Sequence, residues 1–283
     1  MQKIETIFEI RKLIKNIKSK KQTIAIVPTM GALHQGHLAL AKKAQNVANK
    51  VIFSIFVNKK QFNEIDDFNK YPRDIEHDCQ KLAKAGVDYV FAPSDVEIYQ
   101  AKTLIQINAL DLTDCLCGSY RHNHFAGVCL IIAKLFNIIE PDFAIFGEKD
   151  FQQLQIIRRL VSDVNFPVNI VAQETLRNND GLAMSSRNSL LKDNGAKQAA
   201  QIYQTLNKIR KDLALDSSIE LSKIIKEAKT HLIKSGFSKI DYLEIRKEDD
   251  LQLVHQFSRL VQSRIFFAGY LQGVRLIDNL SIY

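Results

Sequence analysis

Apolar side chains return along this chain in two rhythms. In the first twenty residues Ile7, Ile10, Ile14 and Ile17, with Leu13 beside them, recur every three or four positions, the period of one helix face. Short, nearly unbroken apolar runs then follow at 23–27, 51–57, 89–92 and 143–146, with a further one at 168–171. Helical patterns at 38–47, 75–85, 128–139 and 154–161 separate them. Strands that are apolar on both faces and alternate with amphipathic helices predict a parallel sheet covered on both sides. Right-handed crossovers wind such a sheet into a doubly wound α/β domain. A run at 103–108 is expected as a small excursion strand outside that sheet.

The rhythm changes after residue 176. Residues 177–187, RNNDGLAMSSR, are polar and glycine-containing and read as a loop. Two long helical patterns follow at 196–213 and 219–233. Ser217-Ser218-Ile219-Glu220 at the head of the second is a capping-box pattern, in which each side chain satisfies the other's free N–H. Strand-like runs at 240–245, 263–270 and 274–277 complete the chain, the last two joined by a hairpin turn at Tyr270-Leu271-Gln272-Gly273. The expectation is an α/β domain over 1–176 and a smaller α+β domain over 177–283, without internal repeats.

Composition narrows the function. An apolar fraction of 46% with 25% charged residues is that of an ordinary soluble globular protein. No apolar run approaches the roughly 20 residues that span a bilayer. The N-terminal segment mixes charges into its apolar positions, unlike a signal peptide. Of the cysteines Cys79, Cys115, Cys117 and Cys129, only one pair is close, and a single C-x-C is poor zinc spacing. Reduced thiols in the cytoplasm are the expectation. The net charge of +8 is spread over the chain, and its densest cluster, Lys18-Ser19-Lys20-Lys21, ends the first helical stripe, where cations complement the helix dipole. A basic cleft for an anionic small molecule fits that balance without a nucleic-acid partner. The competing reading, an RNA-binding module, predicts steeply salt-dependent affinity for RNA.

Ligands of parallel sheets gather at the carboxyl ends of strands, and the polar clusters of this chain fall there. VPTMGALHQGH (27–37) follows the first run. His34 and His37, three apart, share a face at a helix N-terminus that favours an anion, and Gly31 and Gly36 clear the backbone. In FVNKKQF (56–62), Asn58 and Gln61 can face the crevice. In FGEKDFQQL (146–154), Gly147 permits close approach and Lys149 supplies a point charge for phosphate. Asp150 suits ribose hydroxyls or a metal-bound water, and the amides of Gln152 and Gln153 suit a hydroxy acid. MSSRN (184–188) adds two hydroxyls and a guanidinium.

PTMGALHQGH, FVNKKQF, YPRD (71–74), HFAGV (124–128), KLFNIIEPDFAIFGEKDFQQL (134–154) and DGLAMSSRN (180–188) together resemble the pantothenate synthetase (pantoate–β-alanine ligase) family over essentially the full length. The H-x-G-H element is shared with many nucleotidyltransferases and class I aminoacyl-tRNA synthetases; GEKDFQQL with MSSRN is far more specific. The resemblance implies a Rossmann-like fold of the HxGH nucleotidyltransferase type with a C-terminal lid, in a cytoplasmic homodimer. It implies that ATP and Mg²⁺ join pantoate to β-alanine through a pantoyl-adenylate, releasing pyrophosphate and then AMP. Met30, Gly31, Ala32, Leu33, His34, Gln35, Gly36 and His37 would hold ATP, with His37 as proton donor. So would Gly147, Glu148, Lys149, Asp150, the backbone at Leu176, and Met184, Ser185, Ser186 and Arg187. Gln61 and Gln153 would grip pantoate, with Gln61 also at β-alanine. His34, His37, Lys149, Ser185, Ser186 and Arg187 would neutralise charge growing on pyrophosphate. For magnesium, Asp78 and Asp150 both stand as outer-shell partners. The chain departs from the family at Lys59-Lys60, where Pro-Thr is usual, and at Asn123, often glycine. Transfer of AMP to a phosphate acceptor is the nearest rival, and the two glutamines weigh against it, since phosphate calls for Arg or Lys.

Overall fold

The computed structural model describes residues 1–282. Six parallel strands form the main sheet: β1 (Gln2–Ile4), β2 (Ile24–Thr29), β3 (Lys50–Ile55), β4 (Tyr89–Phe91), β5 (Phe143–Gly147) and β6 (Asn169–Gln173), in the order β1-β4-β3-β2-β5-β6. The helices of this part are α1 (Ile7–Ser19), α2 (Gln35–Gln45), α3 (Ile65–Lys70), α4 (Ile75–Lys84), α5 (Asp95–Ile98), α6 (Cys117–Tyr120), α7 (His124–Ile139) and α8 (Phe151–Val164). Alternation along the strands divides the core in two. Ile24, Ile26, Ile52 and Phe146 pack with α1, α7 and α8, whereas Ala25, Val27, Phe53 and Ile145 pack with α2 and α4. The doubly wound α/β reading holds. The strand order reverses between β2 and β5, and a crevice opens at their carboxyl ends.

Residues 239 onward form an antiparallel sheet of β7 (Lys239–Lys247), β8 (Ser263–Leu271) and β9 (Val274–Ser281), backed by α9 (Gly195–Leu215) and α10 (Leu221–Lys234). The β8–β9 hairpin turns at Gln272 and Gly273, whose φ values of 52° and 77° are those of a primed two-residue turn. β8 is the middle strand and is apolar on both faces. Ile265 and Phe267 join α9 and α10, while Phe266 and Ala268 join the core of the parallel sheet. One strand therefore fastens the two layers of the molecule together.

Three expectations change. β1 was invisible because its three residues carry one buried apolar side chain, Ile4. Residues 103–108 are irregular and pair with no strand among the described residues. The serines at 217–218 do not cap α10. Its N-cap is Glu220, without a side-chain cap, and the Asp216 carboxylate instead accepts the Ser218 N–H (2.8 Å) and hydroxyl (2.6 Å). A local side chain-to-backbone turn outcompetes the capping box there.

Candidate active site

The loop between β2 and α2 is shaped by its own side chains. His34 is the N-cap of α2, and its Nδ1 accepts the Gly36 N–H (3.1 Å). His37 Nδ1 in turn accepts the His34 N–H (3.2 Å), so two imidazoles perform the reciprocal cap usually made by Ser and Glu. Both Nδ1 atoms are acceptors, which places each ring proton on Nε2. The rings lie 4.1 Å apart between centroids. A Cβ on residue 36 would come within 2.8 Å of the His34 ring, so glycine here makes room for the cap.

Behind the loop, Asp78 and Lys81 hold the turn from one face of α4. The Asp78 carboxylate accepts the N–H groups of Ala32 and Leu33, both at 2.8 Å, and Lys81 donates to the Leu33 carbonyl (2.6 Å). Asp78 is 2% exposed and lies outside the crevice. Buried outside the crevice, with each oxygen accepting a loop N–H, Asp78 is a brace of the turn and not the magnesium partner expected from the sequence. Of the run 30–37, Met30, His34, Gly36 and His37 line the crevice. Gly31 and Leu33 are buried in the buttressed turn with Ala32 beside them, and Gln35 points to solvent.

The turn after β3 is tied by Asn58, whose Nδ2 donates to Gln61 Oε1 (3.1 Å) and to the Gly127 carbonyl (3.0 Å) while its Oδ1 accepts from Tyr99 (2.8 Å). Gln61, 8% exposed, reaches the Met30 sulfur through Nε2 at 3.1 Å. A Cβ at Gly127 would lie 2.3 Å from the Lys60 carbonyl oxygen, so α7 can approach this turn only at glycine. The two departures from the family pattern find their place. Lys59 and Lys60 are exposed and leave the Asn58–Gln61 bond intact. Asn123 sits at φ 59°, left-handed, where glycine is free of strain and asparagine is among the best tolerated alternatives.

After β5, Gly147, Lys149, Asp150 and Gln153 face the crevice. Lys149 Nζ is 3.8 Å from Asp150. Glu148, expected at the nucleotide, turns its carboxylate the other way, to Arg264 on β8 (3.2 Å). Gln152 is also diverted: its Oε1 accepts the Cys117 N–H (2.9 Å) and its Nε2 donates to the Leu112 and Cys115 carbonyls. The Gln153 amide forms no hydrogen bond with another described side chain and remains open to the crevice.

Residues 173–176 and 184–187 close the opposite wall. Met184 N–H bonds the Leu176 carbonyl (2.9 Å), and the Ser185 hydroxyl accepts the Arg187 N–H (3.2 Å). The Ser186 hydroxyl lies beside that of Tyr71, and Arg187 is 3.7 Å from Asp67. Arg177 fixes this wall to β9 through a bidentate pair with Asp278 (2.6 and 2.9 Å). Tyr71, Arg121 and His124 line the same crevice and had no role assigned from the sequence. HFAGV was legible as a motif, but Arg121 precedes it in an irregular segment and carries no signal of its own.

Burial governs the titration of the histidines. It lowers His34 to about 4, with the Lys149 charge as the next cause, and His37 to about 3, with His34 next. His124 falls to about 3 through burial and then the Arg121 charge. All three rings are neutral near pH 7, donors through one N–H each and not cations.

A family model described as pantoate-beta-alanine ligase matches residues 2–281. The chain belongs to the pantoate–β-alanine ligase family. The pantothenate synthetase of Fervidobacterium nodosum is 42% identical over 282 residues, covering 100% of this chain and 99% of that protein. Pantothenate synthetase from Thermus thermophilus superposes with a TM-score of 0.92 at 36% identity, covering all of both chains. The pantoate-beta-alanine ligase of Francisella tularensis, solved with beta-gamma ATP and beta-alanine, gives 0.83 at 34% identity, covering 100% of this chain and 98% of that one. The fold is that of these ligases.

The depressed histidines set a pH dependence of folding. In the unfolded chain each takes up its proton near pH 6.5; in the folded chain none does so until about pH 4 or below. The unfolded state therefore binds more protons as pH falls, so this contribution is full above pH 6.5 and is lost between there and pH 4 to 3. Urea unfolding should show ΔG falling from pH 7 to 5 with a slope approaching three protons, reduced by about one in His124→Gln. A slope near zero in that window contradicts the buried, neutral assignment.

Proposed function

We propose the following division of labour for the condensation of pantoate with β-alanine, the AMP-forming ligation this family performs. ATP lies along the β2–β5 crevice with its phosphates at the Nε2–H groups of His34 and His37, the Lys149 ammonium, and Ser185, Ser186 and Arg187. The observation that carries this reading is the reciprocal imidazole cap, which aims two neutral N–H donors into a crevice whose two facing walls supply Lys149 and Arg187. Leu176, whose carbonyl is spent on Met184, keeps its N–H for the nucleotide. Gln61 and Gln153 hold pantoate by amides that both donate and accept, as a hydroxy acid requires.

In the first step a pantoate carboxylate oxygen bonds the α-phosphorus while the bond to pyrophosphate breaks. Little covalent work falls to the protein; it aligns the two groups and meets the charge growing on the leaving oxygen. Neutral imidazoles suit this, since an N–H donor strengthens toward that charge without having held a tight ion pair in the ground state. Mg²⁺ would neutralise the phosphates when bound. Among the described residues no group of three or more His, Cys, Asp or Glu forms a cage, and Asp150, half exposed in the crevice, is the carboxylate placed to meet a phosphate-held ion through water. In the second step the amine of β-alanine displaces AMP. The contacts of Tyr71 with Ser186 and of Asp67 with Arg187 close the wall that excludes water meanwhile.

Within the proposal the enzyme is a cytoplasmic homodimer. Leu104 and Ile105, 85% and 70% exposed on the irregular, unpaired segment at 103–108, and Leu110, 81% exposed in the turn after it, form an apolar face, and a second copy is the partner we assign to that face. No helix of the described residues is long and apolar enough to cross a membrane.

Labelled pyrophosphate should exchange into ATP only when pantoate is present and without β-alanine. Lys149→Ala should slow that adenylation at least about 100-fold in single turnover while leaving pantoate affinity nearly unchanged. Pantoate-independent exchange, or an unchanged rate in the variant, contradicts the assignment. Sedimentation should give a dimer that a Leu104→Asp, Ile105→Asp variant converts to a folded monomer; a dimer that survives both charges places the interface elsewhere.

A further inference from the structure

Arg121 is the one Arg or Lys side chain of the crevice wall that forms no ion pair among the described residues, the carboxylate charge felt by it being that of Asp67. Lys149 has Asp150 and Arg187 has Asp67. Arg121 Nη1 donates to His124 Nε2 (3.1 Å) and Nη2 reaches the Gln61 carbonyl at 3.4 Å, a long contact. Because a guanidinium can only donate, His124 Nε2 is the acceptor and its Nδ1–H donates to the same Gln61 carbonyl at 2.6 Å. The ring thus locks the guanidinium against the turn that carries Gln61. At most two of its five N–H groups are spent, and the side chain lines the crevice. Burial, with Arg187 as the next cause, lowers its pKa, and the more distant Asp67 charge offsets this only in part. A partly buried guanidinium so arranged is costly unless an anion arrives to complete it.

We propose that Arg121 binds the carboxylate of the incoming amino acid and selects a short ω-amino acid as the nucleophile of the second step. This rests on the ligase reading above. Three anionic groups enter the crevice, and their chemistry separates them. Phosphate has Lys149, Arg187 and the imidazole donors. The pantoate carboxylate is the nucleophile of the first step; a bidentate ion pair would hold back the electron pair it must give to phosphorus. The carboxylate of β-alanine keeps its charge from entry to product and takes no part in bond making. It is the group a fixed guanidinium can hold throughout. With that end anchored, the amine at the other end, after losing its ammonium proton to solvent, bonds the acyl carbon. The C–O bond to AMP breaks, AMP leaves with that electron pair, and the amine gives up a second proton.

The test compares the two half-reactions in Arg121→Gln and Arg121→Lys, with β-alanine and with n-propylamine, which has the same chain length without the carboxylate. Arg121→Gln should raise the KM for β-alanine roughly 30- to 100-fold, the effect of one charged hydrogen-bonded contact. It should bring the wild-type preference for β-alanine over n-propylamine down by a similar factor, with the damage falling on the second half-reaction. Arg121→Lys should recover part of both. A β-alanine KM and amine preference like wild type overturn the proposal, as does a loss confined to pantoate-dependent pyrophosphate exchange in a folded variant, which assigns Arg121 to phosphate or pantoate. Absence of pantoate-dependent exchange in the wild-type enzyme sinks the ligase reading instead, so the two failures are distinguishable.

Discussion

Everything at this crevice depends on one pair of hydrogen bonds, those by which His34 and His37 cap the helix they begin. A helix start leaves several N–H groups unsatisfied. Most proteins satisfy them with small oxygen-bearing side chains; here imidazole Nδ1 atoms take two of them. A helix N-terminus offers its own N–H groups to an anion, but this one passes two of them through aromatic rings and presents Nε2–H groups farther out. The cap fixes the tautomer, the tautomer makes the ring a donor, and burial keeps the donor neutral. Asp78 and Lys81 then hold the turn so that the helix starts where it does.

A second constraint joins the two sheets. Arg264, buried in β8, meets Glu148, Glu248 and the Asn279 side chain, and stacks 3.8 Å over Phe151. Asn279 returns its amide to the carbonyls of Glu148 and Lys149 at 2.9 and 2.8 Å. Arg177 binds the neighbouring Asp278. The turn that carries Lys149 and the loop that carries Ser185–Arg187 are therefore anchored to adjacent residues of one strand, β9. Removing one partner from such a buried charged network leaves another uncompensated, so the relative position of the two walls is set by charge as well as by the apolar faces of β8.

Much of this was legible beforehand. The parallel sheet announced itself because both faces of β2, β3 and β5 are buried, which writes an unbroken apolar run into the sequence. The candidate site was legible in outline because its residues sit where apolar runs end. What the sequence concealed was direction. Glu148 and Lys149 are neighbours, yet one faces β8 and the other the crevice. Gln152 and Gln153 divide in the same way. Asp78 read as a free carboxylate because nothing in YPRDIEHD reveals that two backbone N–H groups 45 and 46 residues away will claim it. Arg121 gave no sign, since its meaning lies in the absence of an ion pair to it in space. Short elements failed for a related reason: β1 and the turn at 216–218 are settled by single contacts that periodicity does not sample.

The protonation state that the cap imposes is what the rest of the crevice stands on, and long-range nitrogen–proton correlation spectra of the imidazoles in the ligand-free enzyme at pH 7 read it directly. His34 and His37 should both be neutral, with the proton on Nε2 and with Nδ1 shifted as a hydrogen-bond acceptor. An imidazolium at either position, or a proton on either Nδ1, would contradict this, because such a ring could not accept the backbone N–H on which the helix start, and with it the donor array, is built.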